Sequence, residues 1–308
     1  MQEAEGIKSF RLARPDGSAF EPYSPGAHID VVGPTDVLNQ YSLCGPPDQL
    51  ETYLIAVKRE HGPRGGSAAL HDKVDIGTNL RISAPRSLLE LADDVDKHIL
   101  VAAGIGLTPM LSLAYASHAR RQPFELHYFV RSRRAAAFVD LLEKSDFGDR
   151  VQLHAGLTRD EQYSVLREAL TTVAPATHVY ICGPAGFMER VRQLAEPSVG
   201  DAHVHVEHFA AGTRNEERQD KSFEIELDTG EVFEVPPGKS IAEVLEENGL
   251  DIDTSCREGI CGTCVLDVLS GIPDHRDQCL TKREKQAADR IAACVSRANS
   301  PRLVIELP

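Results

Sequence analysis

Three cysteines crowd into Cys256-Arg-Glu-Gly-Ile-Cys261-Gly-Thr-Cys264, and a fourth, Cys294, follows thirty residues later. The C-x4-C-x2-C spacing with a distant fourth cysteine matches the plant-type set that holds a 2Fe–2S cluster by four thiolates. Gly259 and Gly262 suit a loop that must wrap closely round inorganic sulfide, where a Cβ would block the approach. Amides of such a loop can point at the sulfurs and tune the potential. Two other chemistries use cysteines. A structural zinc site favours paired C-x2-C or C-x2-C/H-x3-H groups, whereas only one C-x2-C is present. A disulfide framework suits a short secreted chain, not 308 residues with seven cysteines. Metal ligands Cys256, Cys261, Cys264 and Cys294 are therefore the expectation.

A cluster needs a donor and a scaffold. The length allows two or three domains with full cores. Composition is ordinary for a globular protein, 42% hydrophobic and 26% charged. No apolar run approaches the roughly 18 residues of a membrane helix, and charges interrupt residues 1–20, so no secretory core is read there. The net charge of -14 argues against nucleic acid and anionic membranes as partners. Cysteines that must stay thiolates fit the cytoplasm.

Residues 1 to about 93 are punctuated by Gly and Pro between short strands: Ile7–Leu12, His28–Val32, Gln40–Leu43 and Thr52–Val57. This spacing predicts a small antiparallel barrel. His28 lacks a second ligand at metal spacing and reads as structural. Tyr41-Ser42 ends a strand. His61-Gly-Pro-Arg-Gly-Gly-Ser67 is a Gly-rich loop opening a short helix over Ser67–His71, a ready anion site through free N–H groups and the helix dipole; a plain turn reads equally well.

From about residue 94 to 208 strands and helices alternate, the pattern of a doubly wound parallel sheet with ligands at the carboxyl ends of its strands. Strands are expected at Lys97–Ala102, Phe124–Val130, Val151–Ala155 and Val179–Cys182. Helices are expected at about Met110–Ala119, Ala135–Lys144 and Gly186–Leu194. Gly104-x-Gly106-x-Thr108-Pro109 lies at one strand end, where glycines admit a pyrophosphate and Pro109 suits a first helical turn; a tight packing turn is the alternative. Cys182-Gly183-Pro184 lies at another strand end, with Cys182 also readable as a small buried hydrophobe.

Residues 210–221 are polar and aperiodic and read as a linker. A hairpin (Phe223–Leu227, Val232–Val235) and a helix Ile241–Asn248, capped by Ser240 with Glu243, precede the cysteine loop in a small α+β domain. From residue 222 onward there are 17 acidic and 9 basic residues, a balance of -8 that can steer a basic redox partner at low salt.

Taken in order, Tyr41-Ser42 with Gly65-Gly66-Ser67, Gly104-Ile-Gly-Leu-Thr-Pro109 with Cys182-Gly183-Pro184, and the four cysteines resemble the phthalate dioxygenase reductase family over nearly the whole chain. The resemblance implies a multidomain fold: an antiparallel β-barrel binding FMN (1–93), a doubly wound α/β domain binding NAD(P)H (94–208), a linker (209–221) and a plant-type α+β, β-grasp ferredoxin domain (222–308). It implies hydride transfer from NAD(P)H to FMN, then single electrons through the cluster to a terminal oxygenase, Rieske-type or haem-thiolate. By position, Tyr41 and Ser42 would line the flavin, Ser42 near N5, with Val57, Lys58, Gly65, Gly66 and Ser67 holding its edge, ribityl chain and phosphate. Gly104, Gly106, Thr108 and Pro109 would meet the nicotinamide cofactor, Cys182, Gly183 and Pro184 would border its ring, and Phe209 would cover the isoalloxazine. Ser42, Thr108 and Cys182 stand as the catalytic candidates. Arg276 matches a recurrent segment, and Cys44 and Cys279 fall outside the ligand pattern and read as structural.

Two features depart from the family pattern. Asn39 stands where the family carries the Arg of Arg-x-Tyr-Ser, which implies looser FMN binding by about 1.5–3 kcal/mol unless Arg64 substitutes. The family also has a strand before the Glu-Ala-Glu-Gly stretch, which leads to the expectation of a chain excised from a longer one, such as a haem-thiolate monooxygenase fused to its reductase. FAD in place of FMN is the alternative flavin. Arg131, at the end of a strand where a ribose 2′ group would lie, keeps NADPH open beside NADH.

Overall fold

The computed structural model describes residues 1–60, 65–171, 173–210 and 220–307. The chain forms two compact units, Met1–Glu207 and His208–Pro308.

The first unit begins with β1 (Gln2–Ala4), β2 (Ile7–Leu12), β3 (His28–Val32), β4 (Leu38–Ser42), β5 (Tyr53–Lys58), α1 (Gly66–Lys73) and β6 (Arg81–Ile82). These strands make two antiparallel three-stranded sheets, β1-β2-β5 and β4-β3-β6, joined by a Leu43–Ile55 bridge. Ile29, Val31, Leu43, Tyr53, Ile55 and Val57 fill the interior, and Leu70 of α1 plugs it. The barrel expected from the strand spacing is present. The Glu3 stretch itself forms the first short strand, paired with β2.

Next come β7 (Lys97–Ala103), α2 (Leu107–Ala119), β8 (Phe124–Val130), α3 (Val139–Lys144), β9 (Val151–Ala155), α4 (Arg159–Thr171), β10 (Thr177–Cys182), α5 (Ala185–Val199) and β11 (Val204–Glu207). All five strands are parallel, in the order β11-β10-β7-β8-β9. This is the doubly wound 3-2-1-4-5 order, whose topological switch lies between β7 and β10, where ligands bind. One face packs on α2, α3 and barrel residues such as Leu54 and Ala56; the other packs on α4 and α5 through Leu166, Leu170, Phe187 and Val191.

Three expectations are corrected here. The helix expected from Met110 starts at Leu107, with Pro109 in its first turn, where an amide would lack an intrahelical acceptor anyway. The helix expected from Ala135 is broken: a 3-10 turn covers Arg133–Ala135 and α3 starts only at Val139, because buried Phe138 takes a left-handed φ of 58°. The helix expected to end at Leu194 runs to Val199. Helix α4 carries little apolar period in its sequence, since only Leu166 and Leu170 are buried on it. Its signal was the Thr158–Glu161 cap, with Thr158 N donating to Glu161 Oε2 at 2.7 Å and Glu161 N to Thr158 Oγ1 at 3.3 Å.

The second unit contains β12 (Phe223–Leu227), β13 (Val232–Val235), α6 (Ile241–Glu247), β14 (Val265–Ser270), β15 (Pro273–Asp274), α7 (Lys282–Ala287), β16 (Arg290–Ala292), β17 (Arg297–Ala298) and β18 (Arg302–Glu306). The main sheet runs β13-β12-β18-β14-β16, with β12 parallel to β18. Both halves of the Ser240–Glu243 capping box form. Arg297, 4% exposed, ties this unit together. Its guanidinium donates to the carbonyls of Lys221 at 2.9 Å, Pro236 at 3.1 Å and Val235 at 3.4 Å, and to that of Lys239, and lies 5.0 Å from the Phe223 ring centre. Only a planar fork reaches so many acceptors. Arg297→Lys keeps the charge but strands carbonyls, and is expected to cost the second unit about 3 kcal/mol, read as a lower denaturant midpoint in the full chain.

Candidate functional site

In the first unit, two strand ends meet almost without side chains. A sharp turn at Gly104 (φ 58°) leads through a 3-10 turn, Gly104–Gly106, into α2. A Cβ on Gly106 would lie 2.3 Å from the Cys182 carbonyl oxygen, and one on Gly183 would lie 2.8 Å from Ala103 Cβ. The β7–α2 turn and the Cys182-Gly183-Pro184 corner thus border one crevice at the topological switch. Pro184 caps α5 in an extended conformation. The N-terminus of α2 and the glycine peptides make this crevice fit a pyrophosphate. Thr108 is buried and donates to Ile105 O at 3.0 Å, so its hydroxyl proton is used inside the turn. Arg131 is exposed just past β8.

The barrel contributes the facing wall. Ser42, the last residue of β4, donates to Glu207 Oε1 at 3.2 Å. Glu207 ends β11 beside Cys182, its register partner on β10. Its other oxygen, Oε2, is buried with no hydrogen-bond partner among the described residues. Burial pushes the Glu207 carboxyl up to about 8 against the hydrogen bond from Ser42. Cys182 is fully buried, and its thiol is driven up first by desolvation and then by Glu207. Ser42, Cys182 and Glu207 therefore form one buried polar corner. From sequence, Glu207 opens the Glu207-His-Phe209 segment that resembles the family's stretch after the last strand, with no role of its own attached.

Tyr41 lies earlier on β4, its hydroxyl buried and raised to about 12 by desolvation, with the Asn39 side chain beside it. The Asn39 amide also packs over the start of α1, 2.1 Å from where a Gly66 Cβ would fall. The residue in the family arginine's place thus faces the helix N-terminus, and the Gly65-Gly66 corner (Gly65 φ 63°) suits a phosphate monoester. Ser67 Oγ accepts from Glu60 N at 3.0 Å. Val57 points into the barrel core, leaving its main chain for any ligand, and Lys58 pairs with Glu60 at 2.5 Å. Arg64 lies outside the described residues. Phe209 belongs to the second unit and is 42% exposed.

In the second unit the four cysteines converge. The Cys256 thiol interacts with those of Cys261 and Cys294, and the Cys264 thiol with that of Cys294. Glu258 N donates to Cys256 Sγ at 3.3 Å and Ile260 N at 3.5 Å. The neighbouring thiols of Cys261 and Cys294, helped by these amides, pull the Cys256 thiol far below its usual range. Gly259 and Gly262 both take φ of 72°. Four facing sulfurs, amides aimed at one of them and left-handed glycines fit a 2Fe–2S cluster. Cys44, fully buried, donates to Leu54 O at 3.4 Å within the barrel wall.

A domain family described as "2Fe-2S iron-sulfur cluster binding domain" matches residues 225–299, and one described as "Dimethylamine monooxygenase subunit DmmA-like, N-terminal domain" matches 79–204. The chain is 42% identical to the vanillate O-demethylase oxidoreductase of a Pseudomonas strain, over 99% of this chain and 96% of that protein. It superposes on phthalate dioxygenase reductase, a structure titled for electron transfer from pyridine nucleotides to [2Fe-2S], with a TM-score of 0.71 and 36% identity, over 99% of this chain and 95% of that one. An intact type IV self-sufficient cytochrome P450 monooxygenase gives a TM-score of 0.88 and 34% identity over 100% of this chain but 40% of that one.

Gly106→Ala must separate the two strand ends and is expected to raise KM for the nicotinamide cofactor roughly tenfold or more. Gly104→Ala meets no atom within 4 Å and costs only backbone strain, about 1–2 kcal/mol; steady-state kinetics of both variants separates the effects. Glu207 holds a proton in the folded chain that it loses on unfolding between its ordinary 4.5 and about 8, so its contribution to stability falls as pH rises through that window. Glu207→Gln cannot ionise. Its melting temperature is expected to gain on the wild type steadily across that window, as thermal unfolding at a series of pH values will read.

Proposed function

The chain belongs to the phthalate dioxygenase reductase family, and from that premise we propose an NAD(P)H-dependent flavin and iron–sulfur reductase that delivers electrons to a terminal oxygenase. The observation that carries this reading is the convergence of Cys256, Cys261, Cys264 and Cys294 under the amides of Glu258 and Ile260. The proposed domains are a flavin barrel over 1–93, a nucleotide domain over 94–208, a linker over 209–221 and a ferredoxin domain over 222–308.

A bound flavin would supply two-electron acceptance and one-electron release, and Cys256, Cys261, Cys264 and Cys294 would hold a one-electron 2Fe–2S carrier. The residues prepare each step. Gly104, Gly106, Gly183 and Pro184 leave room for the nicotinamide cofactor, with Thr108 and Pro109 shaping the first turn of α2 behind it. Arg131 lies toward the adenosine end; NADH is the proposed donor by family likeness. Tyr41 and Ser42 line the flavin, and Gly65, Gly66 and Ser67, with Arg64, hold its phosphate; that open helix start favours FMN. Ser42 donates its hydroxyl proton to Glu207, and burial favours the neutral Glu207 carboxyl, which would keep negative charge away from a flavin held beside Ser42. Asn39 offers no cation to the phosphate, which weakens flavin binding relative to an arginine.

The oxygenase partner can be Rieske-type, as the vanillate and phthalate relatives suggest, or haem-thiolate, as the fused P450 structure suggests. No helix among the described residues is long and apolar enough to cross a membrane, and a cytoplasmic location is proposed.

Cys294→Ser is expected to leave reduction of the flavin by NADH at the wild-type rate in stopped flow, while electron delivery to an oxygenase or to cytochrome c drops to background. Delivery that survives in the variant would overturn the order flavin, then cluster, then partner.

A further inference from the structure

We propose that the buried carboxylate of Asp277 is a positioning residue for the cluster, locking the Cys256–Cys264 loop and the Cys294 turn into one rigid wall; this rests on the reading of the four cysteines as 2Fe–2S ligands. The Asp277 side chain is wholly buried. It accepts from Leu280 N at 2.9 Å and from Ser296 Oγ at 3.3 Å. Lys285 Nζ stands 3.5 Å from it and His275 Nδ1 3.6 Å from it. The Cys279 thiol points at it from 3.6 Å. Burying a carboxylate costs several kcal/mol unless it is compensated, and here the compensating groups come from residues 275–285 and from Ser296, two residues past Cys294.

Two ties matter most. Ser296 lies two residues past Cys294, and its hydroxyl, besides donating to Asp277, accepts from Arg276 N at 3.1 Å. On the other side, Gln278 N donates to Gly259 O at 2.8 Å, and a Cβ on Gly259 would lie 3.1 Å from Asp277 Cα. The loop carrying three ligands therefore rests on the main chain of Asp277, while the segment carrying the fourth is held by its side chain. Loss of the carboxylate loosens one ligand segment against the other. It also removes a negative charge that resists reduction of the cluster and leaves Lys285 without its partner; both changes favour the reduced state.

The test uses the full chain with flavin and cluster loaded. Three quantities are measured: the EPR spectrum of the reduced protein, the cluster midpoint potential, and the rate of bleaching by an iron chelator. Asp277→Asn is expected to keep the wild-type far-UV circular dichroism, bleach at least tenfold faster, and favour the reduced cluster by roughly tenfold, which is about 59 mV for one electron. Ser296→Ala keeps the charge and cuts only the tie to the Cys294 segment. It is expected to bleach faster with an altered EPR spectrum, and it decides the question if the Asn variant does not fold. Wild-type spectrum and bleaching in Ser296→Ala, together with a wild-type midpoint in any folded Asp277→Asn, would overturn the positioning role. A wild-type protein without a 2Fe–2S EPR signal would instead overturn the cluster reading beneath it.

Discussion

The first unit depends on two peptide chains approaching closer than any side chain allows. Gly106 faces the Cys182–Gly183 peptide, and Gly183 faces Ala103, at distances a Cβ would violate. The contact brings the ends of β7 and β10 together at the point where strand order reverses. It also leaves main-chain amides as the lining of the crevice, and amides suit a pyrophosphate because they carry partial positive charge without bulk. Packing below is arranged to hold this contact. Leu100, Ala102, Tyr180 and Cys182 lie in the same core as Leu107, Met110 and Leu111 of α2, so the turn above them has little freedom to drift.

Each site is then finished by a buried charged or ionisable group whose partners come from separate segments. Glu207 joins the nucleotide sheet to the barrel through Ser42. Arg297 joins the start of the second unit to its hairpin and helix. Asp277 joins the ligand segments. Groups like these add little net stability compared with apolar packing. What they add is uniqueness, because a single arrangement satisfies all their donors and acceptors. For electron transfer that matters more than raw stability, since donor and acceptor geometry must survive each cycle.

Much of this was legible in the residues. The cysteine spacing, the left-handed glycines between them, the Ser240–Glu243 box and the continuous apolar strand Lys97–Ala103 each encode their structure over a few positions. The polar helix α4 was not legible from periodicity, having only two buried residues. The break at Phe138 was hidden as well, because a large apolar residue gives no warning of a positive φ; its burial in the core enforces it. Glu207 looked like an unremarkable acidic strand end until the fold placed it under Ser42, 165 residues away in sequence.

By itself, then, the sequence determined the local chemistry: which segments curl round sulfur, which turns admit phosphate, which strands are buried, and in what order three functions follow along the chain. These depend on backbone preference and hydrophobic period, which act over a few residues. Tertiary structure alone decided which polar groups share a buried corner. The Glu207 carboxyl is pushed up to about 8, the Ser42 hydroxyl is directed at it, and Asp277 bridges the cluster-bearing segments because strand ends and loops distant in sequence are packed together. Their electrostatics follow from desolvation, and desolvation is a property of the folded surroundings that no short stretch of residues contains.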